Sequence, residues 1–167
     1  MVAADEIKEE ILEIVSYLNN RMDYELIGAK MPKGYLFFGP PGTGKSYAAK
    51  VLASETDYNF VAVSGSQLQS SYVGGAKENI EKMFEFARNH LPCILFIDEI
   101  DSIGGKRNNI YNMNDGSLNK LLSEMDGFMD NEEIIVIGCT NMKDTLDSAL
   151  IRPGRFDKII HFTYPDP

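Results

Sequence analysis

The run Gly39-Pro40-Pro41-Gly42-Thr43-Gly44-Lys45-Ser46 fits the spacing G-x-x-x-x-G-K-[ST]. Every residue type in it has a reason to surround a chain of phosphates. Glycines let successive backbone N–H groups turn inward onto phosphate oxygens. A helix starting just after the loop adds the partial positive charge of its N-terminus. Lys45 can reach β- and γ-phosphates, the Ser46 hydroxyl can ligate Mg²⁺, and Tyr47 is grouped with them as a nucleotide contact. The chemistry implied is binding of a nucleoside triphosphate with its Mg²⁺.

Two further groups extend that set toward hydrolysis. Asp98 and Glu99 follow the apolar run Cys93-Ile94-Leu95-Phe96-Ile97. Asp98 is placed to hold Mg²⁺, directly or through water, with Ser46 on the other side. Glu99 is the candidate general base that orients the attacking water. An acidic pair after a strand also reads as a helix cap, and the nearby phosphate loop is what favours the catalytic reading. Asn141 carries an amide suited to the attacking water or the γ-phosphate. Taken alone, it reads more simply as a turn residue.

The elements that must position these residues alternate along the chain. Apolar residues Ile7, Ile11, Ile14, Val15 and Leu18 fall at helical spacing, predicting an amphipathic helix over 5–19 with Asp5 as its cap. Tyr35–Phe38 reads as a strand leading into the loop, and the residues from Tyr47 to Ala53 as the helix leaving it. Asn59–Val63 is a second strand, and Ala76–Asn89 a helix with Ile80, Met83, Phe84 and Ala87 on one face. Cys93–Ile97 and Ile134–Cys139 are continuous apolar runs, which fits strands buried on both faces. Leu118–Met125 is a short helix and Lys158–Phe162 a last strand. This alternation predicts a parallel sheet covered by helices on both faces. Parallel sheets bind ligands beyond the carboxyl ends of their strands. Gly39, Asp98-Glu99 and Thr140-Asn141 each follow a strand, so they are expected at one edge. The stretch from Gly104 to Gly116, rich in Gly and Asn, reads as an exposed loop.

At 167 residues the chain is the size of one globular domain. Its 44% hydrophobic and 25% charged content is ordinary for a folded protein. No apolar run approaches the ~18–20 residues of a membrane helix. A net charge of −9 argues against sequence-independent nucleic-acid binding, which needs clustered Lys and Arg. Cys93 opens one strand and Cys139 closes another, so they stand on the order of 15 Å apart. Free buried thiols in a reducing compartment are therefore expected rather than a disulfide. His90 and His161 have no metal-ligand spacing.

Read together, the phosphate loop, Ile94-Leu95-Phe96-Ile97-Asp98-Glu99-Ile100-Asp101 and Ile151-Arg152-Pro153-Gly154-Arg155-Phe156-Asp157 resemble the AAA family of ATPases. Within it the chain looks most like the FtsH-type protease ATPases. The pointers are Gly28-Ala29-Lys30-Met31-Pro32-Lys33-Gly34, Glu124-Met125-Asp126-Gly127-Phe128 and the acidic opening of the first helix. The proteasomal and valosin-containing-protein ATPases share most of these motifs and form the alternative kinship.

The resemblance implies an α/β P-loop NTPase fold in three layers, with a mostly five-stranded parallel sheet. It implies ATP and Mg²⁺ as ligands, and catalytic roles for Lys45, Glu99 and Asn141. Arg152 and Arg155 match positions that supply arginine fingers to a neighbouring subunit, although two arginines in a Pro-Gly turn read equally as surface ion-pair residues. Asp126-Gly127-Phe128 resembles an inter-subunit signalling element, and also a helix end stopped by Gly127. Val2-Ala3 resembles the segment whose backbone contacts adenine, with one residue fewer than the FtsH pattern. Tyr72-Val73-Gly74 resembles the pore loop that grips a translocating polypeptide. The order Gly75-Ala76-Lys77 and the short loop to Gly116 depart from that pattern. A hexameric ring, polypeptide substrates and no nucleic acid are implied. The helical lid, a zinc protease site and any membrane anchor are expected outside the 167 residues, which leaves a weakly active, nucleotide-gated module as a second reading of the isolated chain.

Overall fold

The structure, a computed structural model, describes residues 2–29, 32–69, 75–104, 116–127 and 133–164, side chains of 2–4 excepted. Helix α1 spans Val2–Asn19 and is followed by the short α2, Arg21–Leu26. Strand β1, Gly34–Phe38, leads through the glycine-rich loop into α3, Lys45–Ser54. Then come β2, Asn59–Ser64, the short α4, Gly65–Gln69, and α5, Gly75–Arg88. Strand β3, Cys93–Asp98, runs into the single-turn α6, Asp101–Gly104. Helix α7, Ser117–Asp126, precedes β4, Ile134–Thr140. Two short 3₁₀ segments, Lys143–Thr145 and Ser148–Ile151, lead to β5, Lys158–His161.

The five strands form one sheet in the order β2-β3-β4-β1-β5, and every pairing is parallel. The expected three-layer P-loop arrangement is therefore what the chain adopts. Central strands β3 and β4 are buried almost throughout, as their unbroken apolar runs require. Edge strand β2 is only half-buried, with Asn59 and Ala62 exposed and the rest partly covered.

Alternation within each strand feeds two cores. Leu36, Leu95, Ile97, Ile134 and Val136 face one side, where α5 contributes Ile80, Met83, Phe84 and Ala87 and α7 contributes Leu118, Leu121, Leu122 and Met125. Tyr35, Phe37, Ile94, Phe96, Ile135, Ile137 and Cys139 face the other, against Ile11, Ile14 and Leu18 of α1 and Ala49 and Leu52 of α3. Each of these large side chains contributes roughly 1.5–3 kcal/mol by leaving water, which is ample to orient the helices over the sheet. Cys93 and Cys139 are both free and buried, as expected from their strand ends.

The helices over 75–88 and 117–126 lie within a residue of their sequence-based bounds. The first helix differs. It starts at Val2, which puts Asp5 inside the first turn instead of at the cap. Helices α2, α4 and α6 have no sequence counterpart above, because one or two turns are too short to show a periodicity.

Candidate functional site

Parallel pairing of β1, β3 and β4 brings Gly39, Asp98-Glu99 and Thr140-Asn141 to the same carboxyl edge of the sheet. The Gly39 N–H donates to the Thr140 carbonyl at 3.3 Å, tying the start of the loop to the end of β4. Gly42 and Gly44 hold φ of +78° and +91°, and Gly44 is the residue before α3. Only glycine takes such angles without strain. Beyond their chain neighbours, neither has any atom within 4 Å of where a Cβ would stand, so the backbone angle and not crowding calls for glycine there. Thr43 Oγ1 closes the turn by donating to the Pro40 carbonyl at 2.7 Å, and Tyr164 Oη donates to the Pro41 carbonyl at 3.1 Å.

The Lys45 side chain is 6% exposed. Its ammonium donates to the Gly39 carbonyl at 2.6 Å, the Pro40 carbonyl at 2.7 Å and Asn141 Oδ1 at 2.9 Å. The lysine and the asparagine singled out from sequence are thus joined directly. Because the Asn141 oxygen faces the cation, its NH₂ is left for another acceptor. Ser46 and Tyr47 are exposed at the start of α3, Tyr47 at 73%. Ser46, Lys50, Phe60, Ser64 and Asp98 line a cleft of about 280 Å³ beside the loop.

Asp98 Oδ1 accepts the Glu99 N–H at 2.9 Å. Glu99 itself has φ +49°, in a left-handed region that a glutamate enters only under constraint. Three contacts supply the constraint. The Ile100 N–H donates to the Cys139 carbonyl at 3.0 Å, and Thr140 Oγ1 donates to Asp101 Oδ1 at 2.9 Å. Ser64 Oγ donates to Glu99 Oε2 at 3.2 Å, from the β2 position paired with Asp98. Gly65 sits so close that a Cβ there would stand 2.4 Å from the Glu99 carbonyl oxygen. Ser64 was not singled out from sequence, and Thr140 and Asp101 were named there without their partners. Their partners are remote in the chain, and only strand register reveals them.

The arginines lie elsewhere. A Cβ on Gly34, the first residue of β1, would stand 2.3 Å from the Arg155 carbonyl oxygen. The Arg155 backbone therefore packs at the amino end of β1, about 16 Å along the strand from Gly39. The Arg155 guanidinium donates to Asp126 Oδ1 at 3.0 Å, Asp126 Oδ2 at 2.8 Å and the Ala149 carbonyl at 2.9 Å. This hydrogen-bonded guanidinium holds the Asp126 carboxyl below its ordinary value. Arg152 is exposed, its carbonyl accepts the Arg155 N–H at 3.1 Å, and its side chain has no hydrogen bond or ion pair among the described residues. Tyr72, Val73, Gly74 and Phe128 lie outside the described residues. Val2 and Ala3 fall in the first turn of α1, and their side chains are likewise outside the description.

The donor set suits a nucleotide-bound Mg²⁺. One hydroxyl and one carboxylate beside an open loop match a cation that takes few protein ligands and completes its shell with phosphate and water. Among the described residues, no group of three or more His, Cys, Asp and Glu could hold a metal without such a ligand.

Fold and site together define an α/β nucleotide-binding domain of the P-loop kind. The chain belongs to the ATPase family associated with various cellular activities (AAA), whose profile matches residues 35–164. It is 50% identical over 163 residues to ATP-dependent zinc metalloprotease FtsH 2 of Thermoanaerobacter sp. (strain X514), covering 97% of this chain and 32% of that protein. It is 51% identical over 163 residues to ATP-dependent zinc metalloprotease FtsH 1 of Phytoplasma mali (strain AT), covering 95% and 27%. Human ATP-dependent zinc metalloprotease YME1L1 is 44% identical over 164 residues, covering 97% and 21%. The chain thus spans about a third or less of the length of these relatives.

Proposed function

We propose that the chain is the large α/β part of an ATP-driven ring motor that binds ATP with Mg²⁺ and hydrolyses it. The loop from Gly39 to Ser46 cradles the phosphates, and Lys45 neutralises the β and γ oxygens after exchanging one of its internal acceptors. Ser46 and Asp98 hold the cation, which when bound draws charge from the β and γ oxygens. Glu99 takes a proton from the attacking water, held in place by Ser64. Asn141, fixed through its oxygen by Lys45, presents its NH₂ to the water or the γ-phosphate. Val2, Ala3 and Tyr47 contact the base and sugar side of the nucleotide.

Arg152 and Arg155 act on a neighbouring subunit's nucleotide. The observation that carries this is the place of the Arg155 backbone at the amino end of β1, about 16 Å along the strand from Gly39. An arginine at the γ-phosphate is worth roughly 10³–10⁵ in rate, so the motor works only as a ring, a hexamer in the intact protein. Tyr72-Val73-Gly74 grips a polypeptide passing through it. The relatives' names pair ATP with a zinc metalloprotease, and the intact protein is accordingly read as an ATP-dependent protease of the FtsH kind. Among the described residues no helix is long and apolar enough to cross a membrane.

Mixed rings test the reading. Lys45→Ala and Arg152→Ala subunits are each expected to be inactive alone. Co-assembled, they should regain ATPase activity, because a subunit with an intact loop then meets a neighbour with an intact finger. Mixtures no more active than their components would sink the trans assignment. A nucleotide-gated module with little turnover is the second reading, and the distance of the Arg155 backbone from its own loop favours it for the isolated chain.

A further inference from the structure

Strand register pairs Ile97 with Gly138, so the next residues, Asp98 and Cys139, stand side by side at the carboxyl ends of β3 and β4. Alternation puts them on the same face. Ile94 and Phe96 on one strand, and Ile135, Ile137 and Cys139 on the other, all belong to the core beneath α1 and α3. Cys139 is 2% exposed. Burial, then the neighbouring Asp98 charge, push its thiol up to about 12, so at neutral pH it keeps its proton beside the Asp98 carboxylate. The other cysteine differs in kind. Cys93, at the opposite end of β3, is shifted by burial alone and serves only as an apolar side chain.

A carboxylate at the end of a strand can turn about its last side-chain bond, and a single donor does not fix its plane. Asp98 has one donor within its own segment, the Glu99 N–H on Oδ1. A second donor from a different strand removes the remaining freedom. Groups that orient a metal ligand in this way commonly matter nearly as much as the ligand. We propose that Cys139 is a positioning residue of the metal site, its S–H donating to Asp98 so that the remaining carboxylate lone pairs are held for the cation opposite Ser46. The inference rests on the reading of Asp98 as the metal-holding carboxylate.

The test uses the 167-residue chain with saturating nucleotide and follows Mn²⁺ binding by electron paramagnetic resonance, a readout independent of turnover. Nucleotide bound in the presence of a chelator counts the folded, competent fraction of each variant. Cys139→Ala is expected to weaken Mn²⁺ binding about fivefold, and Cys139→Val, which refills the space without a donor, by a similar factor. Cys139→Ser keeps a donor and should stay within about twofold of the parent chain. If the thiol only fills space, the order reverses: valine is tolerated, and serine, a hydroxyl in an apolar core, is the worst. That order, or unchanged affinity in all three, overturns the proposal. Asp98→Asn separates the two layers. If it leaves Mn²⁺ binding intact, the assignment of Asp98 itself is wrong. If it abolishes binding while Cys139→Ala does not weaken it, only the role of the thiol fails.

Discussion

The ammonium of Lys45 is a buried cation whose hydrogen bonds end on its own chain, at the Gly39 and Pro40 carbonyls and Asn141 Oδ1. A buried charge is tolerable only with such compensation. Glu99 stands in contrast: exposed, oriented by Ser64, and free to meet a water. Glu99→Gln keeps the shape and removes the proposed base. In the assembled protein it is expected to bind ATP as before while kcat falls by about 10²–10⁴, which equilibrium nucleotide binding and steady-state phosphate release would separate. Parent-level turnover would rule out Glu99 as the base. At this scale the loop, Asp98 and Glu99 were legible because their signal is local, a spacing or an acidic pair after an apolar run. Ser64 was not, and Thr140 was placed at the sheet edge without its partner. Their bonds to Glu99 and Asp101 span 35 and 39 residues, and a lone Ser or Thr at a strand end says nothing of what the next strand presents.

Among the elements, the end of α7 is linked to the segment before β5 by the paired hydrogen bonds between Asp126 and Arg155. Because this contact lowers the Asp126 carboxyl below its ordinary value, the stability it lends has a definite pH window. It is present in full above the unfolded-state value of about 3.9 and is lost as pH falls through the lower folded-state value. The difference in thermal stability between the parent chain and Asp126→Asn should therefore be constant from neutral pH down to about pH 4 and shrink below it. A difference that grew on acidification would contradict the assignment. The long elements could be read from sequence because α5 and α7 repeat an apolar stripe over several turns. Bonds such as Asp126 to Arg155 could not, since they depend on how a helix end and a turn meet. The two arginines of one motif are thus unlike: one tied down, one exposed.

For the molecule as a whole, burial has made both sulfurs quiet. Cys93 is pushed up to about 11 and Cys139 to about 12, so neither forms thiolate at neutral pH. A chromogenic disulfide reagent is expected to find no fast-reacting thiol in the native chain and both of its two cysteines in denaturant. Rapid native labelling would show that one strand end opens readily. The sheet that hides the sulfurs also dictates the backbone at Glu99. At φ +49°, this residue occupies a conformation that asparagine tolerates better than glutamate. Glu99→Asn, scored by chemical denaturation, should raise the unfolding free energy by about 0.5–1 kcal/mol while removing the proposed base. Selection for stability alone would then replace this glutamate. With Glu99 as the proposed base, its presence is a compromise between durability and turnover, settled at the carboxyl edge of the sheet.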